Sequence, residues 1–220
     1  MSSPTAVDWS GIDTVLLDLD GTLLDLSFDN WFWREYVPVH YGRARGLDAR
    51  EAWAALEPKF RAAAGTINWY CIDYWSRELD LDIPTLKRAV RREVRFLPGA
   101  EEFLVRLAAM GKRRVLITNS HPETLAIKGE HVPLATHFDA SYSSHCFEAP
   151  KEDPAFWPRF RAQEPFDPAR TLFVDDSIAV LESARKFGIA CLRAVRQPDS
   201  GRPPNEIRGF AAVDRVADLL

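Results

Sequence analysis

Cysteine is scarce in this chain and spaced badly for chemistry. Cys71, Cys146 and Cys191 are odd in number, lie far apart and form no Cys-x-x-Cys pair. They read as reduced core thiols of a cytoplasmic protein, not as a disulfide framework or a metal site. No cluster of His and Cys points to zinc. Long apolar runs are also lacking, and none approaches the roughly 20 residues that cross a bilayer. The opening Met-Ser-Ser-Pro-Thr-Ala-Val-Asp has no basic region followed by an apolar one, so no secretory signal is read. There is no excess of basic residues. A net charge of −4 gives no reason to expect nucleic acid or an anionic membrane as a partner, and no obligate protein partner is implied. Repeats and low-complexity tracts are absent. What remains is an ordinary globular composition, 46% hydrophobic and 27% charged. Its 220 residues are enough for one core plus a smaller inserted unit.

The informative stretch is residues 15–24, Val-Leu-Leu-Asp-Leu-Asp-Gly-Thr-Leu-Leu. A short apolar run bounded by a turn signal reads as a strand buried on both faces. It ends on Asp18 and Asp20, and carboxylates are costly to bury unless paired, hydrogen-bonded or bound to metal. Alternation along a strand puts the two on one face, with Leu19 turned away. Gly21 permits a sharp turn and a close approach of backbone N–H groups to a ligand.

Along the chain, residues 14–18 form the first strand. Residues 28–93 contain no convincing strand. Helical stretches are read there at 29–41, with Pro38 bending it, and at 48–64, with Asp48 as cap and Pro58 as a possible break. Further stretches run at 67–79 and 84–94. This block is a helical unit inserted after the first strand. Trp31, Trp33, Trp53, Trp69 and Trp75 fall inside it, with Trp69, Tyr70, Tyr74 and Trp75 grouped in one helix. They read either as the core of a small bundle or, for one or two of them, as a surface that stacks on a flat substrate group such as a purine base.

Strands then alternate with helices: helix 101–110, strand 114–118, helix 122–130, strand 138–143, helix 154–163, strand 171–174, helix 178–187 and strand 189–192. A Pro/Gly-rich loop at 197–204 and a last short helix at 213–220 follow. The pattern predicts an α/β fold, a Rossmann-like parallel sheet with helices on both faces. Ligands bind such sheets outside the C-terminal strand ends. Three strands end there on Asp18/Asp20, Thr118-Asn119-Ser120 and Asp175-Asp176. Lys151 sits in a polar loop, where a surface charge is the default reading. Four carboxylates brought together would raise one another's pKa values, and a hard divalent cation relieves this. Oxygen-only ligands favour Mg²⁺.

Asp18-Leu-Asp-Gly-Thr22, Thr118, Lys151 and Asp175-Asp176, in that order, resemble the four motifs of the haloacid dehalogenase superfamily, most of whose members hydrolyse phosphate monoesters. The resemblance implies a catalytic core of 1–25 and 96–220 and a helical cap domain of 26–95. It implies Asp18 as the nucleophile that forms an aspartyl-phosphate, and Asp20 as general acid and then base. Thr118, Asn119 and Ser120 would hold the phosphate, and Lys151 would neutralise charge. Mg²⁺ would be held by Asp18, the main-chain oxygen of Asp20, and Asp176, with Asp175 acting through water or as a further ligand. Residues 23–33, 68–76, 118–122 and 150–153 are similar to the bacterial GMP/IMP-type 5′-nucleotidases of that superfamily. That likeness implies a purine nucleoside monophosphate as substrate. From position and chemistry, Asp29, Asn30, Trp31, Asn68 and Trp69 are candidates for base or ribose contacts.

Rival readings remain. A phosphosugar mutase or a phosphatase acting on a small phosphosugar or phosphoglycolate would keep all four motifs. A haloacid dehalogenase needs neither metal nor a carboxylate two residues after its nucleophile. A phospho-acceptor signalling domain would lack both that carboxylate and the helical insert. An inactive binding relative sits poorly with intact Asp18 and Asp20.

Overall fold

A computed structural model describes residues 6–220, so the opening residues read for a leader lie, through Thr5, outside it. Six parallel strands form one sheet in the order β3-β2-β1-β4-β5-β6. They are β1 (Thr14–Leu17), β2 (Arg113–Thr118), β3 (Ala140–Ser143), β4 (Thr171–Asp175), β5 (Cys191–Val195) and β6 (Ala212–Val213). Every residue of β1 is buried, as a central strand covered on both faces must be. The twofold alternation divides it between two apolar layers. Val15 and Leu17 pack on one face with Leu104 and Leu107 of α7 (Ala100–Ala109). Leu16 packs on the other face with Trp157 and Phe160 of α9 (Phe156–Gln163) and Leu181 of α10 (Ile178–Phe187).

Between β1 and α7 the regular elements are all helical, α1 (Ser27–Trp31), α2 (Val37–Arg45), α3 (Ala49–Ala63), α4 (Ile67–Tyr70), α5 (Ile72–Leu79) and α6 (Ile83–Ala89). This segment has an apolar cluster of its own, built around Phe32, Leu56, Phe60, Trp75 and Leu79. It leaves and rejoins the sheet-bearing part side by side: Leu24 forms an antiparallel bridge with Phe96, and Asp25 N–H donates to the Arg95 carbonyl at 3.0 Å.

Several expected elements differ in detail. Pro38 does not bend a helix over 29–41. A π-helical turn at Phe32–Tyr36 joins α1 to α2, with the Val37 N–H reaching back to the Phe32 carbonyl, and Pro38 lies in the first turn of α2, where its missing donor costs little. Pro58 does not break α3, which starts on an Asp48–Glu51 capping box. Pro58 and Ala54, whose carbonyl loses its helical partner, both lie on the exposed face of the helix, where that loss is least costly. The single helix expected at 67–79 is two, broken at Cys71, whose Sγ accepts from the Tyr74 N–H at 3.4 Å and caps α5. The fifth strand runs later than 189–192. The last helix shrinks to a 3₁₀ turn at Val216–Leu219, because residues 212–213 are taken up as the edge strand β6. The three cysteines are free thiols but not core residues: Cys71 and Cys191 are half-buried and Cys146 is exposed. Among the described residues no helix is long and apolar enough to cross a membrane.

Candidate active site

Register decides what meets at the strand ends. Leu17 of β1 stands opposite Leu116 of β2 and Val174 of β4. The next residue, Asp18, therefore emerges level with Asp175 and beside the end of β2, and its N–H donates to the Val174 carbonyl at 3.0 Å. Asp18, Thr118 and Asp175 are all buried. Gly21 has φ +92°, and a Cβ there would lie 2.7 Å from the Asp176 carboxyl carbon. Only glycine lets the loop after β1 close on that side chain.

Lys151, read by default as a surface charge, is 1% exposed. The loop after β3 carries it inward, and Glu148 in that loop takes the left-handed conformation with φ +53°. Its Nζ donates to Asp18 Oδ1 at 2.5 Å, to Asp175 Oδ2 at 2.7 Å and to the Ile117 carbonyl at 3.1 Å. Carboxylate oxygens of Asp18, Asp175 and Asp176 lie within 4.8 Å of one another. Burial pushes the Asp18 carboxyl up to about 7, with Asp175 and Asp20 adding to the rise and Lys151 opposing it. Burial likewise raises Asp175, and lifts Asp176 well above the usual carboxylate range. Burial works against the Lys151 cation, but the facing Asp175 and Asp18 outweigh it and hold Lys151 above its ordinary value.

This donor set fits a hard divalent cation. It is all oxygen, three carboxylates converge, and one lysine does not neutralise them. Asp175 has both oxygens engaged, one by Lys151 and the other by the Ser177 N–H at 2.8 Å. Asp176 has no ion-pair partner among the described residues, which leaves its carboxylate free to ligate.

Asp20 lies beside this group. Its Oδ2 accepts from the Ser120 hydroxyl at 2.7 Å and its Oδ1 from Lys128 Nζ at 2.5 Å. Lys128 also donates to Asp29 Oδ2 at 2.6 Å, and Lys87 Nζ donates to Asp29 Oδ1 at 2.8 Å. Four charged groups thus form a continuous chain, Asp20–Lys128–Asp29–Lys87, with both lysines buried and both carboxylates half-buried. Burial would raise the Asp29 carboxyl, but Lys128 and Lys87 overcome it and hold Asp29 far below the usual range.

Some of the expected substrate-contact groups are spent within the protein. Asn119 donates to Glu152 Oε2 at 2.9 Å and accepts from the Lys151 N–H at 2.9 Å, so its amide orients the Lys151 loop in place of a phosphate. The Ser120 hydroxyl is turned to Asp20, and Asp29 has both oxygens on lysines. Trp31 packs into the apolar clusters, its ring 5.0 Å from that of Tyr36, and does not reach the cavity; Asn68 is exposed and outside it.

A cavity of about 500 Å³ opens from Asp18, Asp20, Thr118 and Asp176 into the helical segment. Its far wall is aromatic: Trp33, Trp53, Phe60, Trp69 and Trp75. Asn30 lines it too, and Arg34, Glu57 and Arg61 are among its polar lining. Two parts of this arrangement escape a reading of the sequence. Trp33 and Trp53 are recognisable as aromatics but not as wall. Lys128 lies four residues after Thr124 on α8 (Pro122–Gly129), and both are buried. A lysine at a core-facing helical position is the signal that could have marked it.

The sequence model of the haloacid dehalogenase-like hydrolases matches residues 12–188. A GMP/IMP nucleotidase, YrfG, of Escherichia coli (strain K12) is 44% identical over 200 residues, 89% of this chain and 88% of the relative. A phosphoglycolate phosphatase of Pseudomonas syringae pv. tomato is 28% identical over 94% of this chain and 78% of its own. Among solved structures, a phosphatase from Thermococcus onnurineus superposes with a TM-score of 0.78 at 18% identity, covering 94% of this chain and 96% of that one. An L-2-haloacid dehalogenase from Xanthobacter autotrophicus does so with a TM-score of 0.63 at 20% identity, covering 94% and 96%.

Proposed function

The chain belongs to the haloacid dehalogenase-like hydrolases, and from that membership we propose that this phosphatase hydrolyses purine nucleoside 5′-monophosphates, with Mg²⁺ and through an aspartyl-phosphate on Asp18. In this reading the helical segment 26–95 is a cap on the sheet-bearing core. The adjoining exit and return at Leu24 and Phe96, and the segment's own apolar cluster, support that division.

One observation carries the substrate class. The cavity is continuous from the carboxylates to an aromatic wall, and its volume is that of a pocket for a small organic ligand. A phosphate placed at Asp18 leaves room for a ribose and a base, and the base would lie against Trp33, Trp53 and Trp69. The name of the 44% identical relative supports the same choice. A substrate as small as phosphoglycolate would leave the aromatic wall unused.

Asp18 attacks phosphorus, the P–O5′ bond breaks, and its electron pair leaves with the nucleoside oxygen, which takes a proton from Asp20. Water then attacks the phosphorus, giving its proton to Asp20 as the bond to Asp18 breaks and phosphate is released. Lys151 holds one oxygen of Asp18, leaving Oδ2 free to attack, and keeps a positive charge where negative charge develops. Mg²⁺ would be held by Asp18 and Asp176, with Asp175 behind them on Lys151, and would screen charge between the nucleophile and the phosphate. Three free thiols support a reducing, cytoplasmic setting.

Phosphate release in Mg²⁺ from a panel of nucleoside monophosphates, sugar phosphates and phosphoglycolate tests the reading. Preference for IMP or GMP is the expected result. A preference for sugar phosphates or phosphoglycolate overturns the substrate class but not the phosphatase.

A further inference from the structure

Lys128 is 1% exposed and belongs to none of the motifs that mark the site. A fully buried lysine is costly, and an apolar residue of similar volume is commonly at least as stable in such a place. Packing therefore does not explain it, but its partners do. It grips the Oδ1 of Asp20, whose other oxygen is held by Ser120, so both ends of that carboxylate are fixed. On its other side it grips Asp29 at the start of the helical segment, and Asp29 is held in turn by Lys87 near the segment's end. Lys87 is 2% exposed and sits over the Phe32 ring at 4.4 Å, which fixes its place.

We propose that Lys128 is a positioning residue that aims Asp20 at the leaving oxygen, and that through Asp29 and Lys87 it makes this aim depend on the seating of the helical segment. The inference rests on Asp20 being the group that protonates the leaving oxygen. A displacement of about 1 Å at such a group can cost 10²-fold in rate. The loss must then depend on the leaving group. A nucleoside oxygen needs a proton to depart, whereas 4-nitrophenolate does not.

The test is kcat/KM, which reports the half-reaction up to departure of the leaving group, on IMP and on 4-nitrophenyl phosphate. It is measured for the intact enzyme and for Asp20→Asn, Lys128→Met and Asp29→Asn. Asp20→Asn should lose about 10²- to 10⁴-fold on IMP and far less on the aryl ester. Lys128→Met should lose about 10²-fold on IMP with the same sparing of the aryl ester. Asp29→Asn should show a smaller loss of the same kind. If Asp20→Asn splits the substrates but Lys128→Met weakens both alike, Lys128 is only structural and the inference is overturned. If Asp20→Asn itself fails to split them, the reading of Asp20 fails first. Should Lys128→Met not fold, by near-ultraviolet circular dichroism, Asp29→Asn decides: it keeps its shape and leaves Lys128 on Asp20, and equal losses on both substrates overturn the proposal.

Discussion

The Tyr70 hydroxyl donates to Glu152 Oε1 at 2.9 Å, joining the helical segment to the residue that follows Lys151. The other oxygen of Glu152 takes the Asn119 amide, which also holds the Lys151 backbone. The loop that brings the lysine to Asp18 is therefore tied from both sides of the cavity. Tyr70→Phe should lower stability by about 1 kcal/mol, the worth of one partly buried hydrogen bond. It should also raise KM for the nucleotide more than it lowers kcat. Urea unfolding and steady-state kinetics check both, and unchanged kinetics would reduce the bond to a structural tie.

Asp18→Asn keeps the shape of the proposed nucleophile and removes its charge. Turnover should fall to background while the circular dichroism spectrum stays the same. Mass spectrometry of the intact enzyme trapped with substrate should find an added phosphate that Asp18→Asn lacks; turnover at the normal rate in this variant would eliminate Asp18 as nucleophile.

Stability should depend on pH through the same residue. Burial lifts the Asp18 carboxyl from 3.8 to about 7, so at intermediate pH the folded protein holds a proton that the unfolded chain has lost. The resulting stabilisation of the metal-free protein is complete below about 4 and disappears as pH rises through about 7. If Mg²⁺ binds the ionised carboxylates, its own stabilising effect should grow across that window. Denaturant unfolding at pH 5 and pH 8, with and without Mg²⁺, measures both trends. Asp175 and Asp176 are raised as well, so Asp18→Asn should reduce the metal-free slope without abolishing it; an equal slope in the variant would place the titration elsewhere.

Trp69 is 40% exposed and lines the cavity. If a base stacks there, Trp69→Ala removes about 1–3 kcal/mol of binding, the scale of aromatic–base stacking. KM for IMP should rise about tenfold or more, with little change for phenyl phosphate. Equal increases for both substrates would return Trp69 to a packing role.

Gly21→Ala should cost metal affinity before it costs the fold. The added methyl group points at the Asp176 carboxylate, and the positive φ disfavours any side chain. Calorimetric titration with Mg²⁺ should show weaker binding than in the parent protein, and unchanged affinity would mean that Asp176 is not a ligand.

The sequence alone determined five of the six strands, their alternation with helices in a parallel sheet, and the carboxylates at its edge, but not the edge strand β6. Those features are local: a buried strand is a short apolar run, and Asp18, Thr118 and Asp175 follow such runs directly in the chain. Asp-x-Asp-Gly-Thr and its three downstream partners could be read because each motif is contiguous. Tertiary structure alone decided the rest. The burial of Lys151 depends on where a polar loop folds back, and the break at Cys71 on packing that favours two short helices over one. Asn119, Ser120 and Asp29 have side chains able to hold a substrate, yet their hydrogen bonds go to Glu152, Asp20 and two lysines. Lys87, Asp29 and Lys128 are 58 and 99 residues apart across their two links. A charge finds its partner through space, in a low dielectric that exists only after the chain has closed, and no spacing along the sequence records that distance.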